Sequence, residues 1–187
     1  MCNTTGSREL NLSSQNSCVL LDSSVKQLEF MNEAVKQAEE NAIRQFTTGG
    51  PFGAVVVRDG KIVGSGRNQV LENHDPTAHA EVQAIRNACE NLGTHDLTGC
   101  ILYTSCYPCP MCLAATMWAN ITEVFFGNTQ KDAAAIGFRD DAFYIALGNM
   151  LDDKKELNKG FLELTQLGRD ITIGTFNKFE EQNGEKY

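Results

Sequence analysis

The sequence predicts a single α/β domain in which helices pack on a sheet of antiparallel and parallel strands. Three observations predict it: an amphipathic helical pattern from Ser24, a β-hairpin signal at Asp59-Gly60, and a strand, helix and strand in succession over residues 100–127. The chain has 187 residues and 42% hydrophobic content, enough for one hydrophobic core. We therefore expect one folded domain.

The first predicted helix begins at Ser24. Ser24 and Gln27 have the spacing of a capping box. Apolar residues then recur at steps of three and four positions, through Leu28, Met31, Val35, Ala38, Ala42 and Phe46. Residues 1–23 are rich in Ser, Asn and Thr without a sustained period, so we expect a flexible N-terminal extension there. The folded domain is then expected to span residues 24–187.

Turn signals divide the next part of the chain into a hairpin and a second helix. The segment TTGGPFG ends the first helix, and Asp59-Gly60 lies between two β-branched runs, which is the strongest short hairpin signal. Asp75-Pro76 predicts the start of the second helix, with Asp75 or Thr77 as its N-cap and Gly93 at its end.

The strand CILYTS, a helix beginning near Cys109 and the strand TEVFFG follow. This order predicts two parallel strands joined by a right-handed crossover. Beyond Gly127 the signals weaken: DAAAIGFRDDAFYIAL is helical in pieces, DDKKELNKG is a charged loop, and FLELTQLGRDITIGTFNKF is ambiguous between strand and helix.

The charge of the chain argues against a nucleic-acid partner. Sixteen basic and 24 acidic residues give a formal charge of −8, which is the wrong sign for binding a phosphate backbone. A small neutral substrate fits better. The sequence contains neither an apolar run of 18 residues nor a secretory signal pattern, so we expect no membrane partner and a cytoplasmic location.

Three of the seven cysteines, Cys106, Cys109 and Cys112, fall within seven residues. In a reducing compartment such a cluster is more often metal-binding or catalytic than cross-linked. Cys109 and Cys112 stand three positions apart, so on a helix they share a face at its positive end, where thiolates are favoured. Pro108 and Pro110 mark the start of that helix, because proline suits only its first turn.

His79 and Glu81 lie in the first turns of the second predicted helix. If the two helix starts face each other, His79 joins the thiolates as a third zinc ligand and water takes the fourth position, as in a catalytic site. Zinc lowers the pKa of such a water to about 7, and Glu81 is placed to take the proton and pass it on. Two alternatives remain open: a closed structural zinc site with Cys106 as fourth ligand, and ordinary helix-start roles for His79 and Glu81.

An H-x-E motif followed by P-C-x-x-C is the signature of zinc-dependent nucleobase deaminases. Through AHAE and PCPMC the chain resembles the cytidine deaminase-like superfamily, whose fold is a three-layer α/β/α sandwich with a mixed five-stranded sheet. DPTAHAE is shared with tRNA adenosine deaminases, whereas GGPFGAVVV, SC-x-PCPMC and IGF-x-D resemble the guanine and guanosine deaminases of bacteria and plants. The resemblance covers about residues 25–145.

The resemblance implies a role for each matching residue. The zinc ligands would be His79, Cys109 and Cys112, with Glu81 as proton shuttle. The residues that contact the base or line its pocket would be Asn68, Phe52, Trp118 and Asp140. Asp140 would contact the purine or help to shuttle its proton.

Each of the pocket residues also has an ordinary structural interpretation. Phe52 and Trp118 could be core residues, and Asp140 could be a solvated loop carboxylate. The chain also departs from the pattern of guanine deaminases, since Tyr107 stands where they usually have Glu and Arg139 replaces an acidic neighbour of Asp140.

The resembling guanine deaminases are dimers in which a C-terminal tail covers the active site of the partner. The resemblance therefore implies a homodimer, and a lid role for Tyr187 at the end of EEQNGEKY. The alternative is a frayed terminus.

The implied function is zinc-dependent hydrolysis of guanine to xanthine and ammonia, with a small nucleobase as substrate. The nearest alternatives are guanosine or another nucleoside, a pterin or a triazine. A tRNA adenosine deaminase is a more distant alternative because of the acidic charge. A non-catalytic zinc-stabilised binding module comes last, because it would need the metal but not Glu81.

Overall fold

The computed structural model describes residues 12–138, 140–150 and 162–186. Its five strands are β1 Gly53–Arg58, β2 Lys61–Arg67, β3 Ile101–Cys106, β4 Glu123–Asn128 and β5 Glu163–Gln166. Its helices are α1 Leu12–Ile43, α2 Val70–Asn73, α3 Ala80–Leu92, α4 Pro110–Trp118, α5 Gln130–Ala135, α6 Asp141–Met150 and α7 Arg169–Glu181. No helix in these described ranges is both long and apolar enough to span a bilayer.

The strands form one mixed sheet in the order β2-β1-β3-β4-β5. Strand β1 is antiparallel to β2 and to β3, whereas β3, β4 and β5 are parallel to one another. Asp59 and Gly60 join β1 to β2 with φ angles of 51° and 70°, which are the positive angles that a tight hairpin turn requires. The predicted hairpin, the parallel pair and the mixed five-stranded sheet are confirmed.

Helices cover both faces of the sheet, which gives the predicted three layers. Along β1, Val55 and Val57 face α1 and share a core with Met31, while Ala54 and Val56 face α3 on the opposite side. This alternation follows from the two-residue period of a strand. The core is therefore divided by the sheet into two apolar layers.

Helix α3 lies unusually close to β2 because two glycines face it. A Cβ atom at Gly64 would lie 2.4 Å from the carbonyl oxygen of Ala84, and one at Gly66 would lie 2.4 Å from that of Ala80. These glycines set the distance between the sheet and the helix that follows His79.

Helix α1 begins at Leu12 and not at the predicted capping box of Ser24. The polar stretch before Ser24 contains no Gly or Pro up to Leu12. Ser and Asn each cost a helix less than about 0.7 kcal/mol relative to Ala, so they lower helix propensity without ending the helix. The prediction placed the helix start at Ser24 because of the polar composition before it. Polar composition alone does not end a helix, whereas a Gly or Pro would have done so. Residues 1–11 of the predicted extension lie outside the described residues.

The N-cap of α3 is His79, which corrects the prediction of Asp75 or Thr77. The Asp75 carboxylate instead accepts hydrogen bonds from the backbone N–H and the hydroxyl of Thr77, at 2.8 and 2.7 Å. Asp75 thus closes a local turn ahead of the helix. The N-cap therefore lies four residues after Asp75 and two after Thr77, which places His79 directly at the N-terminus of the helix.

The ambiguous C-terminal segment folds as β5 followed by α7, with Gly168 between them at a φ of 66°. The charged loop DDKKELNKG lies outside the described residues. Because β3 and β4 are parallel, their last residues, Cys106 and Asn128, meet at the same edge of the sheet. The starts of α3 and α4 lie at that edge.

Candidate active site

Two helix starts face each other beyond the end of β3. His79 is the N-cap of α3 and Cys109 is the N-cap of α4, and both have extended backbone angles. An N-cap side chain usually accepts a hydrogen bond from its own helix. Neither His79 nor Cys109 does so. The ring of His79 and the thiol of Cys109 are instead directed toward each other.

The side chains of His79, Cys109 and Cys112 form an equilateral triangle. The distances from His79 Nδ1 to the two sulfur atoms, and between the sulfur atoms, are all 3.6 Å. Tetrahedral zinc with sulfur at about 2.3 Å and nitrogen at about 2.1 Å separates its ligand atoms by roughly 3.6–3.8 Å. The triangle therefore fits a zinc ion in both size and donor chemistry.

Cys106 does not join this triangle. Its sulfur lies 3.8 Å from the carbonyl oxygen of Thr129, and the side chain is buried at the end of β3. Within the described residues, the one group of three or more metal-ligating side chains is His79, Cys109 and Cys112. The alternative of a closed structural site with Cys106 as fourth ligand does not fit this arrangement, and a three-ligand site is the open type used in catalysis.

The charges in the triangle suit a metal ion. A hydrogen bond with Cys112 lowers the pKa of Cys109 to about 4, so this sulfur is a thiolate at neutral pH. The same hydrogen bond, together with burial, raises the pKa of Cys112. Burial lowers the pKa of His79, but the hydrogen bond and charge of Cys109 outweigh it and the net direction is upward. A cation that binds thiolates replaces the protons that these groups share.

Glu81 is 6% exposed and lies beside the triangle. Its Oε1 accepts a hydrogen bond from the Thr104 hydroxyl at 3.2 Å, and its Oε2 is 3.4 Å from Cys112 Sγ. Burial raises the pKa of Glu81, and the charge of Cys109 raises it further. A carboxyl group whose pKa is moved toward neutrality can both take up and release a proton.

A small cavity opens next to Glu81 and the triangle. Three of the residues predicted to contact the substrate line it: Phe52, Asn68 and Asp140. Phe52 is also held edge-on by Phe138, with ring centroids 4.9 Å apart. The structure thus brings these predicted residues together with the metal ligands.

Asn68 is held firmly in the cavity wall. Its Oδ1 accepts hydrogen bonds from the backbone N–H groups of Gly50 and Val70, at 3.3 and 3.2 Å. Its backbone carbonyl accepts a hydrogen bond from the side chain of Asn41 at 2.8 Å. These contacts fix the orientation of the amide.

Asn41 is a supporting residue that the sequence reasoning missed. Its amide nitrogen also donates to the Gly50 carbonyl at 2.8 Å, and its Oδ1 accepts from Arg67 and Thr48 at 2.9 and 3.0 Å. The residue is fully buried in α1. An asparagine between apolar residues on the buried face of a helix was the signal that could have identified it, because a buried amide needs partners.

Trp118 is not at this cavity, which corrects its predicted pocket role within the chain. It ends α4, eight residues after Pro110, and the helix has by then run about 12 Å from its start. Its side chain is 86% exposed and lines a separate depression with Met117. Tyr187 lies outside the described residues.

Residues 24–128 match the family described as the cytidine and deoxycytidylate deaminase zinc-binding region. The chain belongs to this family. The matched region includes all three ligands of the triangle, Glu81 and Asn68, so the chain carries a zinc-binding deaminase domain. Asp140 follows that region.

Relatives of known activity include several deaminases. The chain is 57% identical to guanine deaminase of Bacillus subtilis over an aligned region of 96 residues. This region covers 51% of this chain and 62% of the relative. The chain thus spans slightly less than two thirds of that relative's length. It is 38% identical over 120 residues to the tRNA-specific adenosine deaminase of Aquifex aeolicus, covering 64% of this chain and 74% of that protein.

Solved structures of deaminases share the fold. The X-ray structure of the Bacillus subtilis guanine deaminase superposes with a TM-score of 0.60 and 40% identity, covering 85% of this chain and 96% of that chain. Guanine deaminase from Nitrosomonas europaea superposes with a TM-score of 0.67 and 25% identity, covering 81% of this chain and 83% of that chain. These similarities confirm the predicted cytidine deaminase-like fold.

Proposed function

We propose that the chain is a zinc-dependent hydrolase that converts guanine to xanthine and ammonia. The observation that carries this proposal is the three-ligand triangle beside buried Glu81, at the base of a cavity lined by Phe52 and Asn68. An open metal site with an adjacent carboxyl group is the arrangement for metal-assisted hydrolysis. The similarity to two guanine deaminases supports guanine as the substrate.

His79, Cys109 and Cys112 would hold the zinc, whose chemical contribution is to lower the pKa of a water molecule to about 7. Glu81 would carry protons. Its raised pKa suits it to take a proton from the attacking water and deliver it to the ring nitrogen beside the reactive carbon, and then to pass the second proton, from the hydroxyl group added to that carbon, to the departing amine. Thr104 would hold the carboxyl group in position through its hydrogen bond to Oε1.

The remaining cavity residues would bind the purine. Asn68 would contact the base with its amide, and Phe52 would form an apolar wall against the flat ring. Asp140 would contact the purine or assist proton transfer, since it lines the same cavity as Glu81. These roles together orient the carbon that carries the amine toward the metal.

A substrate panel tests the proposed function. Guanine, guanosine, adenine, cytosine, a triazine and a tRNA anticodon hairpin are offered to the purified protein, with ammonia release as the readout. We expect guanine to have the largest kcat/KM. Glu81→Gln is the matched control, because its ammonia release should fall at least about a hundredfold, whereas a contaminating activity would be the same in both preparations. Turnover of guanosine or the hairpin in preference to guanine would contradict the proposal.

A homodimer is the second part of the proposal. Large apolar side chains are exposed on two helices: Met117 and Trp118 on α4, and Phe143, Ile145 and Leu147 on α6. Contiguous exposed apolar surface is typical of protein interfaces. Light scattering should give the mass of a dimer, and Trp118→Ser should shift the mass toward a monomer. A monomeric wild type would contradict this part.

The lid role of the C-terminal tail is also a proposal. The backbone N–H of Gly184 donates to the Phe179 carbonyl at 3.0 Å, and Lys186 pairs with Glu180 at 3.1 Å. The Lys186 side chain passes beside Gly137, next to cavity-lining Phe138. The described tail therefore ends near the cavity of its own chain, whereas the lid that the resemblance implies would reach from there to the partner's cavity. Deletion of residues 183–187 should lower kcat/KM for guanine about tenfold and leave zinc content unchanged; unchanged kinetics would contradict the lid.

No disulfide is formed by five cysteines of the described residues, namely Cys89, Cys100, Cys106, Cys109 and Cys112. This suits a reducing compartment such as the cytoplasm, and we propose that location.

A further inference from the structure

Tyr107 occupies the short connection between the end of β3 and the first metal-ligating cysteine. Its backbone N–H donates to the Asn128 carbonyl at 2.8 Å, which ties it to the end of β4. Its side chain contributes to the wall of the cavity, together with Glu81 and Asp140. None of the roles assigned above uses this residue.

The ring of Tyr107 is held on two sides by other aromatic rings. Its centroid lies 4.9 Å from that of Phe126 and 6.2 Å from that of Tyr144, in edge-on arrangements. Tyr144 is itself anchored, because its hydroxyl donates to the Pro108 carbonyl next to Cys109. The Tyr107 ring therefore has little freedom to change rotamer, and its hydroxyl has a fixed position.

That hydroxyl has no hydrogen-bond partner in the described part of the chain, whereas the Tyr144 hydroxyl does. A half-buried tyrosine usually places its O–H against a polar partner. At a cavity wall, a bound ligand can be that partner. The preorganised ring then makes the hydrogen bond at low entropic cost.

We propose that Tyr107 determines specificity by donating a hydrogen bond to the ring carbonyl oxygen of the purine. This inference rests on the proposed function. Tyr107 lines the cavity together with His79, Glu81 and Cys109. The amine-bearing carbon of guanine must approach the metal, so the six-membered ring would be the part of the purine nearest to Tyr107. The carbonyl is the one strong acceptor substituent on that ring in guanine. Tyr107 therefore favours purines with a carbonyl group over those without it.

A binding cycle tests the proposal with guanine and 2-aminopurine, which carries the same amine but lacks the carbonyl. Dissociation constants are measured in the Glu81→Gln background, which retains the cavity while slowing turnover. Tyr107→Phe removes only the hydroxyl. We expect it to weaken guanine binding about three- to tenfold, the value of one net hydrogen bond, and to change 2-aminopurine binding less than twofold.

Tyr103→Phe is the matched control. Tyr103 lies in the core layer on the other face of the sheet, stacked on Phe125 with ring centroids 5.0 Å apart. Its hydroxyl deletion should weaken neither ligand. Equal changes for both ligands in Tyr107→Phe, or no change in either, would overturn the proposal.

Failure of this inference is distinguishable from failure of the proposed function. If wild-type protein does not release ammonia from guanine, the proposed function fails whatever Tyr107 does. If wild type deaminates guanine but the binding cycle shows no difference between the two ligands, only the role of Tyr107 is wrong. Zinc content and melting temperature of each variant confirm that the cavity is intact.

Discussion

The cavity has two walls that are built in different ways. The metal wall consists of His79, Glu81 and Cys109, together with the fully buried Cys112 that contacts them, all within the first turn of α3 or of α4. The base wall consists of residues from widely separated segments, namely Phe52, Asn68, Tyr107, Phe138 and Asp140. The chemical groups are thus placed by local helix geometry, whereas the recognition groups depend on long-range packing.

The difference between the walls has a physical cause. A metal site needs a few ligand atoms at fixed separations, and two rigid helix starts provide them with short motifs. A recognition wall must match the outline of a ligand, and its side chains are oriented by partners elsewhere, as Asn41 orients Asn68. Substitutions in the two walls should therefore have effects of different kind and size.

The largest effect is expected from breaking the metal wall at Cys112. Cys112→Ala leaves two of three protein ligands, so the protein should fall from about one zinc per chain to a trace and lose measurable turnover. Metal analysis and ammonia release check both results. Cys106→Ala is the control and should keep its zinc, because its sulfur faces Thr129. Full zinc retention in Cys112→Ala would mean that the triangle is not the metal site.

Next in size is Glu81→Gln, which tests chemistry without removing the metal. The amide preserves the shape of the side chain but cannot carry the proton, so kcat should fall by about 10²–10⁴-fold, near the upper end for a group that acts twice. Zinc content and melting temperature should stay close to wild type. A kcat within tenfold of wild type would show that another group, with Asp140 as the first candidate, carries the proton.

The base wall should respond in KM more than in kcat. Asn41→Ala removes the donor to the Asn68 and Gly50 carbonyls and the acceptor of one Arg67 nitrogen, Nη1, at a cost of roughly 1–3 kcal/mol in stability. We expect a lower melting temperature and a KM for guanine raised about tenfold, with zinc retained. A loss of stability with unchanged KM would limit Asn41 to a structural role.

The smallest effect is expected from Asp132, which stabilises the helix that precedes the base-wall residue Phe138. Its carboxylate caps α5 and pairs with Arg169, and α5 leads directly to Phe138. The hydrogen bond from Arg169 holds the pKa of Asp132 well below its usual range. The contribution of this carboxylate to the free energy of unfolding is therefore fully present above about pH 4, the pKa of Asp in the unfolded chain. It is lost as the pH falls below that value.

Asp132→Asn should cost about 1–2 kcal/mol at pH 7, and the difference from wild type should shrink as the pH is lowered from about 4 toward 2. Melting temperatures across that range measure it. A difference that stays constant with pH would show that the carboxylate charge is not involved.

The same division explains what the sequence could predict. The motifs around His79 and Cys109 have fixed spacing on helix starts, so the metal wall and Glu81 followed from local geometry. Asn41 was missed because its role depends on partners far away in the chain, such as Arg67. Tyr107 was singled out as a departure from the guanine deaminase pattern, but its packing on Phe126 could not be predicted. The predicted pocket role of Trp118 was wrong because this residue is near the metal-binding motif in sequence but lies at the opposite end of α4 in space.

The close contact between α3 and β2 has a consequence for how mutations will be tolerated. Gly64 and Gly66 touch no substrate, yet a methyl group at either would push α3 outward and move the attached His79 and Glu81 with it. In a saturation-mutagenesis screen for growth on guanine as nitrogen source, these two strand positions should be as intolerant as Glu81, the proposed proton carrier. A map of intolerant positions would therefore extend along the strand, away from the residues that react.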